Sequence, residues 1–223
     1  MPFEIVKATS ADAEALTPIG TAAFLTDGLN LRIGDPRTFT PEQTRESEAW
    51  RQTRFRARAD GPGKFWFKAV DSETGRIAGY SGIFTPESVK AGAASLNAGD
   101  GDIEIPAFLD RAFMDVMEKR MGGFKESVLG ERKEQVWYVP SMAVHPDFQG
   151  KGVAGKLLAA EFELADEAGQ DVYLESTPVA RQMYQRAGFE AIGKLELSDL
   201  TAEEYFLTAM LRKAKPKSSN TAA

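Results

Sequence analysis

The chain has 223 residues, 43% of them hydrophobic and 27% charged, and a formal net charge of −6 at pH 7. With no cysteine and one histidine, thiol nucleophiles, disulfides, Cys-ligated metal clusters and His-pair metal sites are excluded. The acidic balance opposes bulk binding to nucleic acid, although a local basic patch could still hold an anionic cofactor.

The opening Met1-Pro2-Phe3-Glu4-Ile5-Val6-Lys7 lacks the basic start and apolar run of a signal peptide. No stretch reaches the ~18 uninterrupted apolar residues of a membrane span. A cytoplasmic protein without a membrane or nucleic-acid partner is expected.

Phe3 to Lys7 alternates and reads as a first strand. Thr9 to Glu14 then opens a helix, with Ser10 as the expected N-cap and an acidic first turn favoured by the helix dipole. A second helix fits Thr40 to Ala59, where Thr40 caps and Pro41 sits at the first helical position. Lys64 to Val70 and Arg76 to Phe84 read as a hairpin across Asp71-Ser72-Glu73-Thr74-Gly75. The stretch 87–134 reads as an insertion. Its first half, 91–101, is small and reads as flexible. Its second half carries a helical stripe of Leu109, Ala112, Phe113, Val116, Met117, Arg120 and Met121. Core packing is the expected role of that stripe, and a lid over a substrate pocket is the sharper alternative.

The last third is more regular. Gln135 to Val144 reads as a strand, Gly152 to Ala168 as a helix stopped by Gly169, and Asp171 to Ser176 as a strand parallel to the first. A further helix carries Ala180, Met183, Tyr184 and Ala187 and closes at Gly188. Phe189 to Leu197 and Glu204 to Leu211 form the last strands. One mixed sheet follows, and 214–223 is small, basic and expected to be disordered.

The specific signal lies in His145-Pro146-Asp147-Phe148-Gln149-Gly150-Lys151-Gly152-Val153-Ala154-Gly155-Lys156-Leu157. A glycine-rich turn at a helix start offers unpaired N–H groups and the positive end of a dipole, a natural pyrophosphate site. Three phosphate-binding patterns overlap there. G-x-x-x-x-G-K-[ST] matches Gly150, Gly155 and Lys156 but fails at Leu157, where a hydroxyl must hold magnesium. G-x-G-x-x-G matches Gly150, Gly152 and Gly155, and Glu175 falls near the ribose-binding acid. Against it, five residues including Pro146 separate strand from turn, and too little chain follows to build a doubly wound sheet. The third pattern, [Gln/Arg]-x-x-Gly-x-[Gly/Ala], is met by Gln149, Gly152 and Ala154.

With Met142-Ala143-Val144-His145-Pro146 before that loop and Tyr184-Gln185-Arg186-Ala187-Gly188-Phe189 after it, the chain resembles the GNAT superfamily of acetyl-CoA-dependent N-acetyltransferases. Leu174-Glu175-Ser176-Thr177-Pro178 looks most like its fungal small-molecule branch. The resemblance is most specific from Val136 to Phe189. It implies an α/β (α+β) fold with a central mixed, mostly antiparallel sheet, one parallel splayed strand pair and helices on both faces. The domain then spans 1–213.

The resemblance also implies chemistry. Acetyl-CoA would be the cosubstrate, its pyrophosphate held by Gln149, Gly150, Lys151, Gly152, Val153, Ala154, Gly155 and Lys156. Its arm would lie along Met142, Ala143 and Val144, where a bulge parts the two central strands, and an N–H near Ala143 would polarise the thioester. Tyr184 would be the acid for the departing thiolate, with core aromatic as its plain alternative. Glu175 is the candidate base, with a salt bridge or helix cap as its alternative, and Ser141 is a weaker candidate that could orient a water. His145, before Pro146, is expected to stabilise a turn. No metal is expected. The partner would be a small-molecule or peptide amine, and the protein a monomer or homodimer. A dinucleotide-binding oxidoreductase and a non-catalytic acyl-CoA binding module remain as alternatives.

Overall fold

A computed structural model describes residues 2–93, 103–201 and 203–215 of the chain. Its centre is a seven-stranded mixed sheet of order β1-β2-β3-β4-β5-β7-β6. The strands are β1 (Phe3–Ala8), β2 (Lys64–Asp71), β3 (Ile77–Phe84), β4 (Trp137–Val144), β5 (Val172–Ser176), β6 (Glu190–Glu196) and β7 (Phe206–Arg212). Every neighbouring pair is antiparallel except β4 and β5. The helices are α1 (Ala13–Ala23), α2 (Gly28–Ile33), α3 (Pro41–Ala59), the single turn α4 (Pro86–Ser88), α5 (Arg111–Leu129), α6 (Val153–Glu167) and α7 (Arg181–Arg186).

Each face of the sheet has its own core. Ile83 of β3 points to one side, where Val153, Leu157, Leu158 and Ala165 of α6 and Tyr184 of α7 pack. Tyr80 and Phe84, alternating with it, point to the other side, against Leu16 and Ile19 of α1, Phe55 of α3 and Leu129 of α5. Period-2 alternation thus feeds two layers of helices. Burying each such aliphatic side chain is worth roughly 1.5–3 kcal/mol. No helix among the described residues is long and apolar enough to cross a membrane.

The parallel pair β4/β5 is short by design of its sequence. Only Trp137 with Val172 and Tyr138 with Tyr173 are in register. Beyond Tyr138 the β3–β4 register slips, with Ser141 opposite Gly82 but Tyr138 opposite Phe84. Three steps on β4 therefore match two on β3, a bulge that contains Pro140. Proline has no N–H for the ladder, so the strand bends where it stands. After the bulge, Ser141 to Val144 pair with β3 alone, and the side of β4 that faces β5 is left open.

Most expected elements are present, with particular differences. Thr9, not Ser10, heads the first helical turn, its N–H donating to Asp12 Oδ2 at 2.9 Å. Thr40 caps α3 as expected, accepting from the Gln43 N–H at 3.2 Å. Helix α2 was not expected. It is short, and its signal is the cap Asp27, whose Oδ1 accepts from the N–H groups of Leu29 and Asn30. In α5, Phe113 and Met117 pack with Leu197, Tyr205 and Leu207, and Met114 packs with Leu109 and Trp50, whereas Val116 is exposed. The expected flexibility of 91–101 falls from 94 onward outside the described residues, as does the tail from 216 on. Ala214 and Lys215 are held, their N–H groups donating to Asp171 and Asp166.

Candidate functional site

A cleft of about 1270 Å³ opens where β4 and β5 part. Its walls include Met142, Ala143 and Val144 of the open strand, and Gln149, Gly150, Gly152, Val153, Ala154 and Gly155 of the turn and the start of α6. The turn is fixed locally. His145 Nδ1 accepts from the Asp147 N–H at 3.2 Å, the turn-stabilising role expected for it. Gln149 Nε2 donates to the Val144 carbonyl at 3.1 Å, tying the loop back to the strand. Gly150 and Gly152 have φ of +73° and +81°, a region that L side chains rarely adopt. A Cβ at Gly150, Gly152 or Gly155 would meet nothing within 4 Å, so the backbone there borders open space. No side chain caps α6, which leaves its first N–H groups directed at the cleft. This is a cradle for an anion with a backbone that can be approached closely, as a pyrophosphate requires.

The two lysines expected to assist do not line the cleft. Lys156 Nζ donates to the Phe3 carbonyl at 3.4 Å, and Lys151 lies 5.3 Å from the Phe148 ring centroid. The basic groups in the walls are instead Arg32, Arg37 and Arg186. The first two come from the α1–α3 region, where the sequence carries no motif to single them out. Arg32 pairs with Asp110, and Arg37 with Asp35 at 2.6 Å.

Tyr184 forms part of the same cleft. It is 7% exposed and packs edge-on against Phe189, with ring centroids 5.6 Å apart. Burial pushes its phenol above the usual tyrosine range. The hydroxyl therefore keeps its proton at neutral pH. The core-aromatic and cleft-wall descriptions of Tyr184 both hold.

Glu175 and Ser141 stand apart from that cleft. Glu175 is partly exposed on the opposite sheet face, in a smaller cleft of about 330 Å³ shared with Tyr138, Glu118, Met121 and Lys125. Burial raises the Glu175 carboxyl, while the Lys125 charge and the hydroxyls of Tyr173 and Tyr138 oppose the rise. The Lys125 ammonium sits 4.0 Å from the Tyr138 ring centroid, and burial lowers its pKa. Ser141 lies at the end of the bulge, where its carbonyl accepts from Ser81 Oγ at 3.3 Å.

The other end of the large cleft is built by segments without a sequence signal. Phe24, Asp27 and Leu31 of the α1–α2 region face Thr201, Glu203, Glu204 and Tyr205 of the loop between β6 and β7. The Tyr205 hydroxyl donates to Asp27 Oδ2 at 2.7 Å and closes that wall.

Comparison with known proteins agrees with this geometry. Residues 116–191 match the family described as the acetyltransferase (GNAT) domain, a stretch from within α5 to the start of β6. An uncharacterized N-acetyltransferase of Schizosaccharomyces pombe is 38% identical over 66 residues, 29% of this chain and 27% of that protein. Among solved structures, arylalkylamine N-acetyltransferase 2 of Aedes aegypti is similar with a TM-score of 0.63 and 17% identity, covering 96% of this chain and 100% of that one. A Corynebacterium glutamicum protein described as histone acetyltransferase HPA2 and related acetyltransferase has a TM-score of 0.60 and 22% identity over 97% and 99% of the two chains. The polyamine N-acetyltransferase of Drosophila melanogaster has a TM-score of 0.59 and 14% identity over 95% and 100%. At these identities the likeness to the solved structures is one of fold.

Proposed function

Residues 116–191 belong to the GNAT acetyltransferase superfamily, and from that premise we propose that the protein transfers the acetyl group of acetyl-CoA to a primary amine by direct attack. The observation that carries this is the single cleft that joins the capless start of α6, the open strand Met142 to Val144 and the protonated hydroxyl of Tyr184. The N–H groups of the turn and of the first turn of α6 hold the pyrophosphate. The open side of β4 pairs with the peptide-like arm of the cosubstrate, and an N–H near Ala143 polarises the thioester carbonyl.

The amine nitrogen forms its bond to the carbonyl carbon as the carbon–sulfur bond breaks. Glu175, from the smaller cleft on the other face of the sheet, takes the ammonium proton through solvent between the parted strands. Ser141, at the end of the bulge, orients the water. Tyr184 gives its proton to the departing sulfur.

The acceptor enters between the α1–α2 region and the β6–β7 loop. Phe24 and Leu31 offer apolar contact there, and Asp27, Glu203 and Glu204 offer negative charge. That combination favours a cationic amine with an apolar body. Two of the proteins of similar fold are named for arylalkylamine and polyamine acetylation, and an amine of either kind suits these walls.

Calorimetric titration with acetyl-CoA and with NADH, followed by thiol release across a panel of amines, tests the proposal. Binding of acetyl-CoA and amine-dependent release of free CoA thiol are expected. Binding without release would make the protein an acyl-CoA binding module, and binding of NADH instead would make it a dinucleotide protein.

A further inference from the structure

Helix α5 sends one lysine into the smaller cleft with nothing to accept its N–H groups. Lys125 lines that cleft together with Glu118, Tyr138 and Glu175. Its Nζ is buried and has no hydrogen-bond partner. The ammonium lies over two stacked rings, 4.0 Å from the Tyr138 centroid and 5.4 Å from that of Tyr173. Ring faces compensate a desolvated cation only in part, and they leave its donors unused. The other two lysines of the cleft, Lys90 and Lys133, are committed. Lys90 pairs with Glu134 at 3.0 Å and Lys133 with Glu126 at 2.8 Å. Of the three, Lys125 is the one that keeps its donors for a ligand.

The small cleft also borders the gap where transfer takes place. Tyr138, in its wall, is the last residue of β4 in register with β5. Glu175 stands just beyond Tyr173, the partner of Tyr138, where the two strands have parted. A molecule that suits Lys125 and Glu175 together carries both signs close to each other: an anion for the ammonium and a protonated amine for the carboxylate. At about 330 Å³ the space is at the small end of ligand pockets, enough for a head group and not for a whole large acceptor.

We propose that the acceptor is an α-amino acid, whose carboxylate is taken up by the Lys125 ammonium while its amine lies between Glu175 and the thioester. Charge-assisted N–H···O bonds then give the buried cation the acceptor that the chain does not supply. The three groups on an α-carbon diverge, so the side chain stays in the large cleft, against the apolar and acidic walls of its α1–α2 end. The amine makes the new bond to the carbonyl carbon, the carbon–sulfur bond breaks, and the products are the N-acetylamino acid and CoA thiol. The carboxylate takes no part in bond making. Lys125 is thus a specificity-determining residue, and its role rests on the acetyl-transfer reading.

L-Arginine with agmatine and L-tyrosine with tyramine are pairs that differ in the carboxylate alone. The full-length parent is compared with Lys125→Met, which keeps the stem and removes the ammonium, and with Lys125→Gln. For each member of a pair, kcat/KM is measured by thiol release and affinity for the CoA-loaded protein by calorimetry. The parent should favour the amino acid over its decarboxylated partner by roughly ten- to hundredfold, the scale of a hydrogen bond between charged groups. Both variants should lose that ratio, whatever change the two members share. Taking the ratio cancels any effect of the lost charge on Glu175 or on stability, because such an effect falls on both members alike.

A parent that treats the members of each pair alike, or favours the decarboxylated amine, overturns the proposal. So does a preference that survives in the folded Lys125 variants. If no amine releases thiol from the parent, the transfer reading fails on its own. The calorimetric preference for the amino acid, and its loss without Lys125, then still decides the carboxylate site.

Discussion

The Tyr205 hydroxyl donates a 2.7 Å hydrogen bond to Asp27 Oδ2, joining residues 178 positions apart across one end of the large cleft. Asp27 is already committed at its other oxygen, where Oδ1 accepts from the N–H groups of Leu29 and Asn30 and caps α2. One carboxylate therefore fixes the start of a helix and anchors the loop between β6 and β7. Burial first, and then the hydrogen bond to Asp27, raises the Tyr205 pKa, so the phenol stays a donor.

Tyr205→Phe keeps the ring among Phe113, Met117 and Leu207 and removes this bond. A hydrogen bond to a charged group contributes roughly 1.5–3 kcal/mol, and partial exposure puts this one at the low end. We expect a small fall in thermal stability and a several-fold rise in KM for the amine, with acetyl-CoA affinity little changed. Steady-state kinetics with each substrate varied in turn provide the check. Equal losses for both substrates would show that the bond does not belong to the acceptor wall.

Gly152→Val tests the cradle. The position has φ of +81°, which costs a β-branched residue about 1–2 kcal/mol, and its new side chain would project into open space beside the turn. Acetyl-CoA binding should fall sharply while the circular dichroism spectrum stays native. A folded variant that binds acetyl-CoA as well as the parent would move the pyrophosphate elsewhere.

Tyr184→Phe separates the acid role from the packing role. The ring keeps its edge contact with Phe189 and only the proton is lost. General acid assistance is typically worth ~10²–10⁴ in rate, and the CoA thiol is a fair leaving group, so the low end of that range or less is expected. Lower kcat with unchanged acetyl-CoA affinity is the pattern of an interaction made in the transition state. Parental kcat, measured where chemistry limits the rate, would leave Tyr184 a core aromatic.

Glu161, buried on α6, should give the fold a characteristic pH response. Its folded-state pKa is raised well above the ordinary value of 4.5, first by burial. Below that ordinary value both folded and unfolded chains carry the proton. As pH rises past it, the unfolded chain releases its proton while the folded chain retains it. The parent therefore loses stability relative to Glu161→Gln, by at most about 1.4 kcal/mol per pH unit, until the folded-state pKa is passed. Denaturant titrations of both proteins across the acid-to-neutral range measure this directly. A stability difference that does not change with pH would mean that Glu161 is not held neutral.

Local chemistry was legible in the sequence because it depends on neighbours in the chain. The alternation of Phe3 to Lys7, the Thr40-Pro41 cap and the glycine turn each act within one or two turns, and the structure has them. Pro140 was a signal that the strand reading of Gln135 to Val144 passed over, since a missing N–H breaks a ladder wherever it lies. The spacing of Gln149, Gly152 and Ala154 before a helix, with Tyr184 and Gly188-Phe189 behind it, was enough to point to a pyrophosphate cradle and a family. Even Glu161 was within reach, because it falls in the stripe of Leu157, Leu158 and Ala165 where an acid is out of place.

Tertiary structure alone decided which face each side chain meets and which distant segments share a wall. Asp27 and Tyr205 carry no signal in sequence, because a hydrogen bond over 178 positions is set by packing and not by spacing. Lys151 and Lys156 looked like phosphate ligands by proximity, but the path of the turn directs one over Phe148 and the other to the Phe3 carbonyl. Glu175 sits at the end of the expected strand, yet period-2 alternation puts Tyr173 and Glu175 on the face opposite Leu174, in a separate cleft beneath α5. A strand's alternation can be read along the chain. The layer that covers each of its faces is chosen only when the helices dock, and that choice settled which charged groups line the cleft.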